Sequence, residues 1–149
     1  MIRAADRLAE DWQVQAEVWS ATSFSELARD AREVERRQRF HPLDTPRRSH
    51  LANCLEGDIP IVAASDYVRA YPQLIAGYVR PRFLTLGTDG FGRSDTRTAM
   101  RDFFEVDATH VVLAALQVLV EEGDLPAKRL ADALAHYGIE PPEAAPWQH

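Results

Sequence analysis

Residues 83–95 read FLTLGTDGFGRSD, a short apolar run that passes directly into a glycine-rich loop. The apolar part, residues 83–87, predicts a β-strand, and a glycine-rich loop at the carboxyl end of a strand is typical of α/β sheets. Residues 60–65 read PIVAAS and predict a second strand, because a continuous small apolar run is the pattern of a strand buried on both faces. These two segments decide the fold class.

A third strand is predicted for residues 14–18, where valine and alanine alternate with polar residues. Helical patterns separate the strands, and one of them opens with Ser23 and Glu26 at the spacing of a capping box. The other predicted helices cover residues 2–12, residues 49–55, residues 67–78 with a break at Pro72, and three segments that begin at Ser94 or Asp95, at Asp107 and at Pro126.

Strands that alternate with helices form parallel sheets with right-handed crossovers. The sequence therefore predicts an α/β fold in which a thin, mostly parallel sheet is flanked by helices. Three strands make a small sheet, so we expect one or two more, one of them near residues 78–79. Residues 1–140 are predicted to form one domain, and residues 141–149, rich in proline and alanine, a flexible tail.

The composition excludes several classes of protein. The 149 residues carry a net charge of −6, which argues against a nucleic-acid partner because binding to phosphates needs a basic surface. No apolar run approaches the roughly 18 residues of a membrane-spanning helix, so we expect no membrane contact. The single cysteine, Cys54, cannot form an internal disulfide, which is typical of the reducing cytoplasm. We therefore expect cytoplasmic localisation.

Residues 90–95 (GFGRSD) partly match the loop that binds the phosphates of a dinucleotide. Asp95, however, takes the place of the third glycine and brings a carboxylate to the position of the phosphate. A structural turn followed by a capped helix therefore explains the loop better than a cofactor site. The charges of Asp89, Arg93, Asp95 and Arg97 indicate salt bridges within the loop or a contact with another subunit.

No catalytic or metal-binding set emerges from the spacing of the residues. The five histidines are dispersed, and none is paired with cysteine, aspartate or glutamate at the spacing of metal ligands. His110 is expected to be packed and hydrogen-bonded in the first turn of a buried helix. Cys54 is expected to be a small buried side chain rather than a nucleophile.

Residues 85–97 (TLGTDGFGRSDTR), followed by residues 103–107 (FFEVD), resemble the C-terminal domain of the bacterial, homodimeric type of pyruvate dehydrogenase. That family is the thiamine-diphosphate-dependent decarboxylating component. Residues 16–27 (AEVWSATSFSEL) and 62–68 (VAASDYV) agree with the same family. The resemblance extends over residues 2–139, nearly the whole chain.

The resemblance implies a transketolase C-terminal-like fold that has no catalytic centre of its own. In that family, thiamine diphosphate and magnesium are held between two larger domains that are absent from this sequence. We therefore expect both in the complete enzyme and neither on this chain alone, and we assign no catalytic residue and no metal ligand. The resemblance also implies that one loop lies at the subunit interface or at the approach to the active site. This loop is made of Asp89, Gly90, Phe91, Gly92, Arg93, Ser94, Asp95 and Arg97.

The first functional hypothesis is a non-catalytic C-terminal domain, or a separately encoded subunit, of a thiamine-diphosphate-dependent 2-oxo acid dehydrogenase or transketolase-like enzyme. It would complete the dimer and shape the approach to an active site for decarboxylation or transfer of a two-carbon acyl unit. The expected partners are the thiamine-binding catalytic domains or subunit, a dimeric assembly, and a lipoyl or acyl carrier domain.

Two rival hypotheses belong to other classes of protein. The chain could be a stand-alone interaction scaffold that kept the fold and lost the enzyme. It could also be a small nucleotide-binding protein that uses the glycine loop, although Asp95 argues against this. We expect this chain to form a larger assembly, either with a second copy or with a catalytic subunit, because one small sheet cannot cover three apolar regions. These regions are residues 111–120, the stripe of Met100 with residues 103–104, and the aromatic side chains Trp19, Tyr67, Tyr71 and Tyr78.

Overall fold

The structure, a computed structural model, describes residues 1–140 and 144–148. Three helices come first in this part of the chain, two strands separated by a short helix and a 3₁₀ turn follow, and three more helices come after them. The elements are α1 (Ile2–Trp12), α2 (Phe24–Phe40), α3 (His50–Cys54), β1 (Ile61–Ala64), α4 (Ala70–Gln73), a 3₁₀ turn (Ala76–Tyr78), β2 (Phe83–Leu86), α5 (Arg97–Phe103), α6 (Ala108–Glu122), α7 (Ala127–Tyr137) and a second 3₁₀ turn (Pro146–Gln148).

Capping side chains and a glycine set the ends of several helices. The Ser23 hydroxyl accepts a hydrogen bond from the Glu26 N–H, and an Asp107 carboxylate oxygen accepts one from the third residue of α6, so both predicted caps are confirmed. Gly123 ends α6 in the left-handed region with φ of 88°, a conformation that glycine adopts without strain. The cap of α5 is Thr96, not Ser94 or Asp95 as the sequence predicted.

The sheet has fewer strands than the sequence predicted. Strands β1 and β2 pair in parallel, with Ile61 opposite Phe83, and they form a two-stranded sheet. The predicted strand at residues 14–18 is wrong, because this segment carries no regular structure and makes no ladder with β1. The expected strand near residues 78–79 is also wrong, since a 3₁₀ turn occupies this position.

Helices cover both faces of this small sheet. Val62, Ala64 and Leu86 pack on the core formed by α1, α6 and α7. Phe83 belongs to the opposite face, because side chains alternate along a strand, and it packs with Ala28 of α2 and the residues around it. The domain is therefore a three-layer α/β structure, as expected for the predicted fold class.

Helix α6 forms the centre of the core. Val112, Leu116 and Val118 are completely buried, and α6 contacts α1, α7 and both strands. The stretch Arg97–Glu122 is long and apolar enough to resemble a membrane-spanning helix. This stretch is interrupted at Glu105, whose φ of 57° lies outside the right-handed helical region. Side chains of α6 pack in the core cluster with α1 and α7, which identifies α6 as a core helix.

The strands are less buried than predicted. All four residues of β1 and all four of β2 are only half-buried, whereas the sequence predicted a strand covered on both faces. Of the predicted tail, residues 141–143 and 149 lie outside the described residues, and Pro146–Gln148 forms a 3₁₀ turn. The flexible tail stays a prediction.

Candidate functional site

The glycine loop after β2 lies directly against the chain that leaves β1. The Thr88 N–H donates to the carbonyl of Tyr67 at 3.0 Å, and the Thr88 hydroxyl donates to the carbonyl of Asp66 at 3.2 Å. This approach requires glycine at position 87. A Cβ at Gly87 would lie 2.6 Å from the backbone nitrogen of Arg69 and 2.7 Å from the Tyr67 carbonyl oxygen. The loop position is therefore set by backbone packing.

An ion pair fastens the start of the loop. One carboxylate oxygen of Asp89 accepts a hydrogen bond from the Arg69 N–H at 2.9 Å, and the other contacts the Arg69 guanidinium. Burial disfavours the charged carboxylate, but the hydrogen bonds from Arg69 outweigh this and lower the pKa of Asp89. Asp89 is therefore a fixed anion that holds the loop in place.

A second ion pair connects the same edge to α5. The guanidinium of Arg101 binds both carboxylate oxygens of Asp66, one of them at 3.0 Å. The hydrogen bonds from Arg101 hold the pKa of Asp66 below its usual value. The carboxyl ends of β1 and β2 and the start of the helical half are thus joined by paired charges.

The tip of the loop is exposed. Gly90 has φ of 112°, a conformation that favours glycine, whereas Gly92 is not in the left-handed region and a Cβ there would meet nothing. Phe91 is 82% exposed. The Arg93 guanidinium lies over the Phe103 ring, 4.2 Å from its centroid, and both side chains line a recess of about 270 Å³.

The remaining loop residues make local contacts. An Asp95 carboxylate oxygen accepts a hydrogen bond from the N–H of Thr96 at 2.7 Å, and Ser94 and Arg97 are exposed. Asp89 and Arg93 contact residues outside the loop. The predicted salt bridges within the loop are therefore absent among the described contacts, and the subunit contact is the interpretation that stays open.

Exposed aromatic side chains lie in this loop and in the chain that follows β1. The rings of Tyr67 and Tyr71 pack edge to face at 5.1 Å between centroids, and both are about half exposed. We call Tyr67, Tyr71 and Phe91 the edge surface, because they follow the carboxyl ends of β1 and β2. The apolar residues of α6, which the sequence predicted as one possible contact surface, lie in the core instead. The prediction that this chain assembles with another protein therefore depends on the edge surface.

The loop does not fit a diphosphate group. Its glycines are followed by the Asp95 carboxylate, and the nearby guanidinium of Arg69 is committed to Asp89. A diphosphate with its metal needs free N–H groups or cations on one side and carboxylates free to hold the metal on the other. No step of thiamine chemistry is therefore assigned to these residues, and the expectation that the chain alone holds neither thiamine diphosphate nor magnesium stays a prediction.

A second titratable cluster lies at the start of α6. The Asp107 carboxylate accepts hydrogen bonds from the backbone N–H of His110 at 2.9 Å and from its Nδ1 at 2.7 Å. Burial lowers the pKa of His110, but the hydrogen bond to Asp107 and the nearby charges of Glu105 and Asp102 outweigh it and raise the pKa above its usual value. His110 is packed and hydrogen-bonded, as predicted.

Asp102 also lies close to His110, a neighbour that the sequence pattern did not predict. A carboxylate oxygen of Asp102, one of Asp107 and a ring nitrogen of His110 lie within 4.8 Å of one another, so the prediction that no histidine is paired with an acidic residue at the spacing of metal ligands is wrong for His110. The i, i+3 spacing of Asp107 and His110 at a helix start is the signal that could have revealed this pair. Both hydrogen bonds that the Asp107 carboxylate accepts come from His110, which assigns this pair to helix capping.

Cys54 differs from its expected state. Its thiol is half-exposed, and Sγ lies 3.5 Å from Nε2 of His50, one turn earlier in α3. The predicted burial is therefore wrong, because only Leu51 of this short helix faces the core.

Comparison with known proteins gives one family. The model of the transketolase-like TK C-terminal domain matches residues 1–107. The pyruvate dehydrogenase E1 component of Cupriavidus necator is 46% identical over 147 residues, which is 98% of this chain and 16% of that protein. The corresponding proteins of Pseudomonas aeruginosa and Escherichia coli are 46% and 44% identical over 96% of the chain, again 16% of each relative. The chain thus spans about a sixth of their length.

The close approach at Gly87 makes a prediction about stability. Gly87→Ala should destabilise the domain by about 1–3 kcal/mol, because its Cβ meets backbone atoms that cannot move aside independently. Gly92→Ala is the matched control, since it adds the same methyl group to open space in the same loop. Urea unfolding of both variants measures the difference, and equal midpoints would contradict the proposed packing.

The His110–Asp107 pair makes a prediction about pH. The folded-state pKa of His110 is raised above 6.5, so its stabilising contribution is complete below that value and is lost as the pH rises through the folded pKa. His110→Gln should therefore destabilise the domain more at about pH 5.5 than at about pH 8.5. Unfolding free energies of wild type and variant at both pH values test this. A difference that grows with pH would refute the assignment.

Proposed function

This chain belongs to the transketolase-like TK C-terminal domain family, and from that premise we propose that it is a non-catalytic C-terminal domain or separately encoded subunit of a pyruvate dehydrogenase-type enzyme. The observation that carries the proposal is the combination of identity and coverage. Nearly all of this chain aligns with E1 components, yet it corresponds to only 16% of them. The remaining part of such an enzyme would supply the chemistry.

The edge surface supports docking on that remaining part. In open α/β sheets, ligands and partner groups gather at the carboxyl ends of the strands, where Tyr67, Tyr71 and Phe91 lie. Aromatic side chains contribute large contact areas at protein interfaces. The charges of Asp66 and Asp89 are already paired inside the chain. The exposed groups at this edge are the aromatic rings and the loop residues Arg93, Asp95 and Arg97.

The chemistry of the complete enzyme would come from thiamine diphosphate and magnesium, which stabilise the carbanion formed when a 2-oxo acid loses carbon dioxide. This chain would exclude water from, and shape, the approach to that centre through its glycine loop. Phe91 and Arg93 at the loop tip are the residues placed to contact a neighbour. A dimeric assembly in the cytoplasm, which delivers the acyl unit to a lipoyl or acyl carrier domain, is part of the same proposal.

The rival function is a stand-alone scaffold. The exposed aromatic residues fit it as well, because any partner could cover them. The two functions differ in one measurable respect: only the first requires that this chain complete an active enzyme.

A chimera tests the proposed function. The matched region of the Cupriavidus necator E1 component is replaced by this chain, and pyruvate decarboxylation and dimer mass are measured. We expect a dimer with activity within about tenfold of the unaltered relative, that is, within about 1.4 kcal/mol in the barrier. A soluble, folded chimera with no activity would favour the scaffold.

A matched pair of variants locates the contact in the chimera. Phe91→Ser removes the most exposed part of the edge surface and should lower activity or dimer stability. Ile59→Ser removes a similarly exposed apolar side chain at the opposite end of β1 and should change neither. Equal effects of the two substitutions would contradict docking through the edge surface.

Cofactor binding gives a further prediction. Calorimetric titration of the isolated chain with thiamine diphosphate and magnesium should show no saturable heat, because the Asp95 carboxylate follows the glycines of the loop and the nearby Arg69 guanidinium is paired with Asp89. The chimera should bind both under the same conditions. Micromolar binding by the isolated chain would show that it is more than an accessory domain.

A further inference from the structure

The end of α2 and the segment that follows it carry a local excess of positive charge. Residues 36–48 hold five arginines and one aspartate, in a chain whose net charge is −6. Every residue of this stretch is exposed. Two large apolar side chains lie among the arginines, since Phe40 is 63% exposed and Leu43 is 99% exposed. A basic and partly apolar region thus lies on an acidic chain.

The turn that presents Leu43 is held in place by contacts with α2. The Asp44 N–H donates to the carbonyl of His41 at 3.1 Å, which closes a β-turn with Pro42 and Leu43 at its tip. The ring of Pro42 fixes its own φ. The Arg37 guanidinium pairs with an Asp44 carboxylate oxygen at 2.8 Å and joins the turn to α2. Because this turn is preorganised, a contact at Leu43 costs little conformational entropy.

Three arginines around this turn retain donors for a partner. No ion pair among the described contacts involves Arg36, Arg39 or Arg47. The Arg36 guanidinium lies over the Phe40 ring, 5.0 Å from its centroid. The Gln38 side-chain amide donates to the Arg47 carbonyl at 3.1 Å, which holds Arg47 beside α2. Because a guanidinium has five N–H donors and no acceptor, the ligand that suits these three side chains is a carboxylate or another anion.

We propose that this region is a docking site for an acidic peptide that carries an aliphatic residue between its carboxylates. We call Arg36, Arg39, Phe40, Leu43 and Arg47 the basic surface. The carboxylates of the peptide pair with the arginines, and its aliphatic side chain packs on Phe40 and Leu43. This inference goes beyond the proposed function, because the basic surface shares no residue with the edge surface.

The distribution of charge favours a peptide over a nucleic acid as the partner. A phosphate backbone binds to an extended basic surface, whereas Glu33 and Glu35 precede the basic surface on α2 and the whole chain is acidic. Charges in solution act over about 10 Å at ordinary salt, so a short peptide meets mainly the local excess of arginine. The fully exposed Leu43 offers an aliphatic contact rather than the aromatic stacking on which single-stranded nucleic acids depend.

Fluorescence anisotropy of a labelled peptide tests the docking on the isolated chain. The probe repeats the unit glutamate-leucine-glutamate, and in two control peptides serine replaces leucine or lysine replaces glutamate. We expect saturable binding of the probe that weakens as sodium chloride is added, and much weaker binding of both controls. No saturable binding of the probe, or equal binding of the serine control, would overturn the proposal. Equally strong competition by single-stranded DNA of the same charge would assign the surface to nucleic acid and would overturn it too.

Two matched pairs of substitutions locate the site. Leu43→Ser should weaken peptide binding about tenfold because it removes the aliphatic contact, and Arg39→Glu should weaken it at least about fivefold by reversing a charge. Ile59→Ser and Arg80→Glu alter another exposed apolar side chain and another exposed arginine, and they should change the affinity little. All four side chains are exposed, so urea unfolding should give midpoints close to that of the wild type. Equal losses of affinity within each pair would refute the basic surface as the site.

The chimera with the Cupriavidus necator E1 component separates this inference from the proposed function. It should bind the acidic peptide as the isolated chain does, and Leu43→Ser should weaken that binding without changing pyruvate decarboxylation. An active chimera that does not bind the peptide would show that the rest of the enzyme covers the basic surface, and would overturn this inference alone. A folded, inactive chimera that still binds the peptide would overturn the proposed function alone. Self-association of the isolated chain that Leu43→Ser abolishes would assign the surface to a second copy and would also overturn the peptide site.

Discussion

The burial of α6 is the interaction on which the rest of the domain depends. Its side chains Val112 and Leu116 are inaccessible to solvent, and they join α1, α7 and the sheet into one core. Tyr137 of α7 reinforces the outer layer, since its hydroxyl accepts a hydrogen bond from the Trp12 indole of α1 at 3.0 Å and donates one to Asp11 at 2.9 Å. A helix that is apolar nearly all round has no solvent-facing side, so the other elements must surround it.

The helical half of the fold could be predicted from the sequence because its signals are local. Ser23 and Asp107 mark helix starts through their own side chains, and the structure confirms both. The strands depend on partners that are distant in sequence. Residues 14–18 carry a strand pattern, but a pattern forms a strand only where a neighbouring backbone supplies hydrogen bonds.

The candidate site was predictable in position and only partly in detail. The glycine loop and its residues Asp89 to Arg97 were identified, yet the partners of its charges could not be. Asp89 pairs with Arg69, twenty residues earlier, through a crossing that only the parallel register of β1 and β2 creates. The pair of Asp107 and His110 was within reach of the sequence, because both residues lie in one helical turn.

The distribution of charge and apolar surface argues for a role in assembly. Asp66 and Asp89 lie at the strand ends, where a catalytic acid or base would be expected. Hydrogen bonds from arginines lower the pKa of both carboxyl groups, and the resulting ion pairs hold the loop in place. The aromatic rings of Tyr67, Tyr71 and Phe91 are left outside, where their exposure costs solubility unless another surface covers them. The apolar side chains of β1 and β2 are likewise only half-buried. A domain that pairs the carboxylates at its strand ends internally and leaves apolar groups and strand edges open is stabilised most by the protein that covers them.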